Sequence, residues 1–555
     1  MTSATRRAAV LTCAAAATLG GAQAPNVPAI TQFEPHEIAL AATGDYANPY
    51  VELSADASLI LPDGSERTFP LFWDGGTSWK LRIAPHLIGT WRWSVTSRDS
   101  GLNGRSGSLT VRSGSRKGSV RPMRGHPAHF ERQDGSRFWF LGDTAWALYT
   151  DNAEERHDRD AAFRYVDARA AQGFNVLHSM LLSEAGWGNR AGPPFSDLSA
   201  ERLNPDYWQE VDARVAYANA RGVVSGLAIA WGDKRREEPF AWRRFPDLEA
   251  RRRYARYIAA RYGAYDVYFL VSGEWHGEVR TRPAPEDEIK REFIEIGRAL
   301  DEADAHDRMI GIHPMTEHGS VREFNGASWM DFGDYQQNYR NLHARALESR
   351  RLGKPVVNSE YGYFLRDQNG DGVPDKDNST SITAMRHATW DIVMAGSYVV
   401  TGFGTTYFGG HRDPGPFDVN APQNKPWEAQ LGVMKMVFEG LAWWRLEPHD
   451  ELVRTVTPRG EDGMELGRLT PPEVAYWALA EPGRQYVVYV RGVRAPVTIA
   501  VLNGRRLRAR QLNPRTGAQT DLAQPKSADQ YTYRPPDQQD WVVTLRAAGT
   551  QSILR

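Results

Sequence analysis

From about residue 125 to 445 short apolar runs alternate with helical stretches, and this alternation limits the fold more than any other property of the chain. Eight runs read as strands: Phe138-Trp-Phe-Leu-Gly, Asn175-Val-Leu-His-Ser-Met, Val223-Val-Ser-Gly-Leu-Ala-Ile-Ala, Val267-Tyr-Phe-Leu-Val, Met309-Ile-Gly-Ile-His, Trp329-Met-Asp-Phe-Gly-Asp-Tyr, Pro355-Val-Val-Asn-Ser and Tyr398-Val-Val-Thr-Gly. Amphipathic stretches such as 160–172, 207–221 and 286–303 fall between them. Strand–helix repeats build parallel sheets, and eight units over about 320 residues fit a (β/α)8 TIM barrel with long loops.

The flanks read differently. Over about 30–115, runs such as Val51-Glu-Leu-Ser, Trp79-Lys-Leu-Arg-Ile and Thr90-Trp-Arg-Trp-Ser-Val alternate at period two between turn signals. That pattern predicts a β-sandwich of immunoglobulin-like type, with Trp73, Trp79, Trp91 and Trp93 packing its interior. Residues 113–118 read as a linker. From about 446 to 555 short strands return, with Asn503-Gly as a hairpin signal, and predict a second, smaller sandwich. The central barrel is thus expected over 125–445. At the N-terminus Arg6 and Arg7, the apolar stretch 8–19 and Ala22-Gln-Ala24 read as a secretory signal over residues 1–24. The only cysteine, Cys13, lies in it, so the mature chain is expected to have no disulfide, thiol nucleophile or cysteine-ligated zinc.

In such a barrel the chemistry sits at the C-terminal ends of the strands. Two strand tips deliver a glutamate beside aromatics: Val267-Tyr-Phe-Leu-Val-Ser-Gly-Glu-Trp275 and Lys354-Pro-Val-Val-Asn-Ser-Glu-Tyr-Gly-Tyr363. Paired carboxylates are what hydrolysis of a glycosidic bond requires, one to protonate the leaving oxygen and one to attack. Glu274 is the expected acid/base and Glu360 the expected nucleophile, about 5–5.5 Å apart, the spacing of enzymes that retain anomeric configuration. Glu278 and Glu184 are lower-ranked alternatives for the acid. Burial against Trp275 and the charge of Glu360 are expected to raise the pKa of Glu274, and Tyr335 is the expected donor to Glu360. Around the pair, Asp143, Trp146, His178, Trp231, Trp275, His276, His313, Tyr335, Gln336, Tyr361 and Tyr407 are candidate sugar contacts, since sugar faces stack on aromatic rings and sugar hydroxyls hydrogen-bond. The chain carries 18 tryptophans and a net charge of -1, which gives no basic excess to suggest nucleic acid. The histidines lack His-x-His or His-Glu-x-x-His spacing, which places a metal-dependent hydrolase behind the carboxylate mechanism.

These residues resemble the apiosidase-like glycoside hydrolases over nearly the whole mature chain. Phe138-Trp-Phe-Leu-Gly-Asp-Thr-Ala-Trp146 looks like the family's first-strand signature. Leu507-Arg-Ala-Arg-Gln-Leu-Asn-Pro-Arg-Thr-Gly517 looks like the small C-terminal sandwich that the family names for collagen binding, a name that does not make collagen the ligand. The resemblance implies an acid/base on strand four and a nucleophile on strand seven, at Glu274 and Glu360. Where the family often has an aspartate after two glycines, this chain has Ser272-Gly-Glu274, so the resemblance implies the reaction class and leaves the sugar open.

The function expected from the sequence is a secreted or periplasmic retaining exo-glycoside hydrolase acting on plant or microbial polysaccharide or oligosaccharide, without membrane insertion and without a catalytic cofactor. The alternative is a non-catalytic carbohydrate-binding or scaffold protein on an inactive barrel. A structural calcium is expected in the acidic loop after Glu360, on Asp367, Asn369, Asp371, Asp375 and Asp377, where crowded carboxylates repel unless a cation neutralises them.

Overall fold

The computed structural model describes residues 29–152, 157–182, 188–232, 241–316, 319–337, 341–364, 381–403, 425–460 and 471–547. The leader at 1–24, Glu184, Tyr407 and the calcium candidates Asp367, Asn369, Asp371, Asp375 and Asp377 lie outside the described residues.

The barrel strands are β1 (Leu141–Thr144), β2 (Val176–Met180), β3 (Val224–Ala228), β4 (Val267–Leu270), β5 (Ile310–Gly311), β6 (Gly333–Gln336), β7 (Val356–Glu360) and β8 (Tyr398–Phe403). They are parallel and adjacent in chain order, and β8 pairs with both β7 and β1. Between β5 and β6 the wall is joined by the single bridges Ile310–Met330 and Thr316–Gln336. Strands β1 to β7 are buried along their length, as expected of a parallel sheet covered on one face by helices and on the other by its own interior. Each is followed by a helix of the same number: α1 (Arg159–Ala171), α2 (Pro205–Ala220), α3 (Leu248–Tyr262), α4 (Glu286–Ala303), α5 (Ser320–Phe324), α6 (Leu342–Arg350), α7 (Ile382–Val393), and, after β8, α8 (Lys425–Glu439). Asp158, Asp247 and Ser381 cap α1, α3 and α7 by accepting a first-turn backbone N–H. In α4, Ile289, Phe293, Ile296 and Leu300 form the buried stripe that lies on the barrel.

The first strand begins three residues later than its sequence suggests. Arg137–Phe138 pairs antiparallel with His126–Arg132, which also pairs with Val120–Met123. This small sheet closes the N-terminal end of the barrel. Phe130, at its centre, meets Phe140, Phe332 and Tyr398, and Tyr268 adds a further ring, 5.4 Å from that of Phe332. An aromatic plug therefore fills the lower interior, and the polar residues of the barrel stand above it.

Five strands and three strands face each other in the N-terminal sandwich. Trp79 and Trp91 are buried in its core, while Trp73 and Trp93 are half-buried at its edge. It is fastened to the barrel by buried charge: Arg82 reaches Asp212 of α2 at 2.7 Å, and Arg261 of α3 reaches both Asp212 and Asp74. The C-terminal sandwich has six- and three-stranded sheets. It docks on α7, where Tyr489 stacks on Trp390 and Arg491 pairs with Asp391. Asn503 does not open a two-residue hairpin. It adopts a left-handed conformation before a 3-10 turn that leads into Leu507–Leu512. Among the described residues no helix is long and apolar enough to cross a membrane.

Candidate active site

Glu360 is the last residue of β7. Glu274 stands four residues beyond β4, where the ladder is carried on by a bridge between Trp231 and Gly273. Gly273 is required there, because a Cβ would lie 2.1 Å from the Trp231 ring. Glu274 itself has φ 41°, a left-handed conformation uncommon outside glycine, asparagine and aspartate. This turn brings the half-buried carboxyl back over the barrel axis. Trp231 Nε1 donates to Glu274 Oε2, and Gln336 Nε2 donates to Oε1, both at 3.3 Å.

Glu360 is 7% exposed. Tyr363 donates its hydroxyl proton to Glu360 Oε1 at 2.8 Å and accepts from Trp146 Nε1 at 3.0 Å. His313 Nε2 lies 3.3 Å from Glu360 Oε2, an ion-pair contact more than an aligned hydrogen bond. One carboxyl oxygen of Glu274, one of Glu360 and a ring nitrogen of His313 all lie within 4.8 Å of one another. The rings of Trp146, Trp231 and His313 meet around them at 5.0–5.9 Å.

Burial alone would lower the pKa of His313, but the Asp334 carboxylate and then Glu360 override it and raise it to about 10. Burial pushes the Asp334 carboxyl upward as well. The imidazole, with an anion on each side, is the stronger proton holder of the two. Protonated, His313 has no lone pair to offer a metal ion, and the cluster then presents two carboxyls beside a fixed cation.

Of the candidate sugar contacts, Trp146, Trp231, His313 and Gln336 converge with the two glutamates. His178 lies lower on the axis, fully buried with Nε2 against the Tyr268 hydroxyl and Trp146 above it, so it supports the floor. Five expectations are corrected, each by where the side chain lies. Asp143 leaves the barrel wall toward α1, where it takes Arg169 Nε at 2.6 Å and the Tyr165 hydroxyl. Tyr335 points outward and bonds Ser397 at 3.3 Å, so Tyr363 is the donor to Glu360 in its place. Tyr361 points toward α7 and bonds Thr389 at 2.6 Å. Trp275 packs between Phe293 and Phe324 with Lys290 over it, away from the Glu274 carboxyl. His276 lies tilted against Trp275, with ring centroids 3.8 Å apart. Glu278, the alternative acid, is fully buried between Arg251 and Arg282.

Tyr363, Asp334 and Ser359 were missed by sequence reasoning. Asp334, one of two aspartates in the mostly apolar run 329–335, was a signal, because a buried charge needs a partner. Tyr363 was visible only as the second tyrosine of Tyr361-Gly-Tyr363.

The sequence model of a family described as "Apiosidase-like, catalytic domain" matches residues 126–437, more than half of the chain. A model of a domain of unknown function, DUF5060, matches residues 29–98. No curated protein matches. Among solved structures, one from Bacteroides vulgatus described as a candidate glycoside hydrolase shares 16% identity. It covers 94% of this chain and all of its own at a TM-score of 0.71. A glycoside hydrolase family 5 structure from the same organism shares 16% identity at a TM-score of 0.61, covering 79% of this chain and 95% of its own. A third, named simply glycoside hydrolase, shares 17% identity at 0.61, covering 79% and 98%. At these identities the likeness is one of fold.

Proposed function

The chain belongs to the apiosidase-like glycoside hydrolases, and from that premise we propose that it is a retaining, exo-acting enzyme with Glu360 as nucleophile and Glu274 as acid/base. The observation that carries the proposal is the approach of the two carboxyls. Their nearest oxygens are within 4.8 Å. Retaining pairs stand about 5–5.5 Å apart, and inverting pairs about 6.5–9.5 Å, which leaves room for a water. In the first step Glu274 gives its proton to the glycosidic oxygen while a Glu360 oxygen bonds to the anomeric carbon. In the second, water attacks that carbon, its proton passes to Glu274, and the electron pair of the ester bond returns to Glu360. Trp146 and Trp231 offer rings to the sugar, and Gln336 offers an amide.

The substrate class is a plant or microbial polysaccharide or oligosaccharide. The sugar is left open, because a glutamate replaces the aspartate common at this position, and exo action is carried by the family resemblance. Two further parts of the proposal are supported by sequence alone: export through residues 1–24 to the periplasm or beyond, and calcium in the loop of Asp367, Asn369, Asp371, Asp375 and Asp377. A melting temperature that drops with chelator and recovers with calcium supports the ion, and an unchanged curve removes it.

The test of mechanism is a panel of aryl glycosides followed by NMR of the first-formed sugar. The expected product has the anomeric configuration of the substrate. The opposite anomer would make the pair inverting, and no turnover of any glycoside or pectic oligosaccharide would return the barrel to a binding role.

A further inference from the structure

Behind the nucleophile the barrel buries a chain of three polar groups: Asp334 on β6, Ser359 on β7 and His313 just beyond β5. On β6, Asp334 and Gln336 are two residues apart and share the inner face. On β7 the pairing slips: Tyr335 faces Asn358, but Gln336 faces Glu360, so Ser359 is an extra residue. Such a bulge re-aims a side chain. Here it lets the adjacent residues Ser359 and Glu360 both serve His313. The His313 Nδ1 lies 2.8 Å from Ser359 Oγ and 3.3 Å from Asp334 Oδ1, and the Ser359 hydroxyl donates to that same Oδ1. Asp334, Ser359 and His313 are all inaccessible to solvent.

With Asp334 and Glu360 both ionised, donors and acceptors fix where the protons are. Ionised Asp334 can only accept, so the single proton of Ser359 goes to it. The Ser359 oxygen then meets Nδ1 as an acceptor, and Nδ1 carries hydrogen. On the other side Nε2 faces Glu360, which as an ionised nucleophile can also only accept, so Nε2 carries hydrogen too. The ring is an imidazolium.

We propose that Asp334 is a positioning residue for the nucleophile: through Ser359 and His313 it fixes a cation on Glu360 Oε2. The proposal builds on the assignment of Glu360 above. The consequence falls on the second step. When the ester bond breaks, its electron pair returns to the Glu360 carboxylate, and a cation already in place stabilises that charge without rearrangement. His313 keeps both protons throughout. The groups that face it are Asp334 on β6, Glu360 on β7, Glu274 beyond β4 and His178 on β2. Burial, reinforced by the His313 charge, keeps His178 neutral.

The first measurement is 15N NMR of the ring nitrogens in the wild-type protein. The expected result is the doubly protonated signature of His313 from pH 5 to 8; a neutral tautomer at pH 7 overturns the proposal. The second uses Asp334→Asn. The expected kcat falls roughly 10- to 100-fold while kcat/KM for an activated aryl glycoside changes little. A burst of aglycone should appear, and His313 should lose its proton at lower pH. A uniform loss with an unshifted His313 titration would mean that Asp334 only supports the fold. If Asp334→Asn does not fold, Ser359→Ala is read in the same way. The NMR readout needs no turnover, so its failure is distinct from failure of the hydrolase assignment, which an inactive wild type would show.

Discussion

The two glutamates are held in opposite ways. Glu360 ends a barrel strand just after its bulge, is nearly buried, and has a phenol on one oxygen and an imidazolium at the other. Glu274 stands on a turn with φ 41°, is half-buried, and is touched by two neutral N–H groups at 3.3 Å. The contrast fits the two tasks proposed for them. A nucleophile has to be an anion at one place in both steps, so fixed charge beside it is useful. An acid/base has to release and regain a proton in every cycle, and a permanent cation at contact distance would hold it ionised. The barrel gives rigidity to the first and places the second on a loop.

The sharpest way to break the comparison is to remove the acid and vary the leaving group. Glu274→Ala should lower kcat by about 10²–10⁴-fold on substrates with poor leaving groups. It should be much milder on a dinitrophenyl glycoside, which needs no proton. Equal losses on both would mean that Glu274 does not donate the proton. Since Glu278 is enclosed by Arg251 and Arg282, Glu278→Gln is expected to affect melting more than the leaving-group dependence.

A smaller effect is expected at the nucleophile's other oxygen. Tyr363→Phe removes one charge-assisted hydrogen bond from Glu360 and leaves Trp146 Nε1 without that acceptor. Hydrogen bonds to charged groups contribute about 1.5–3 kcal/mol, so kcat/KM should fall roughly 10- to 100-fold. The loss should not depend on leaving-group acidity, in contrast to Glu274→Ala. A loss that follows the leaving group would place Tyr363 on the acid's side of the site.

Most of the architecture was legible, because periodicity reports burial directly: the eight barrel strands, the helices between them and the two flanking sandwiches are all present. Both glutamates were legible as carboxylates at strand ends. The errors came from reading tips as clusters. In a strand neighbouring side chains point to opposite faces, so Gln336 inward forces Tyr335 outward, and Glu360 inward forces Tyr361 outward. Asp143 fell to the same rule, compounded by a first strand that starts late because Phe138 belongs to the sheet closing the barrel. The bulge at Ser359 breaks the rule, and no local composition announces it. Tyr363 reaches Glu360 from beyond the strand end, which only the three-dimensional path of the loop reveals.

The smallest effect is expected in stability against pH, where two histidines of the same barrel act with opposite sign. His178 is buried neutral, with a pKa well below the ordinary range, so stability is lost as pH falls below about 6.5 and the unfolded chain takes up a proton. His313 is buried charged, with a pKa raised to about 10. Its contribution is full below about 6.5. It is lost as pH climbs toward 10, because the unfolded chain sheds a proton that the folded barrel keeps. One proton limits the slope to about 1.4 kcal/mol per pH unit. Melting curves between pH 6.5 and 9.5 should therefore decline for the wild type and flatten in Asp334→Asn. Over the same range the tyrosines beside the site, Tyr268 and Tyr335, stay protonated in the fold, since burial raises both above their ordinary value. Parallel curves for the two proteins would show that Asp334 does not hold the proton on His313, and the difference between the two ends of the site would then reduce to backbone geometry alone.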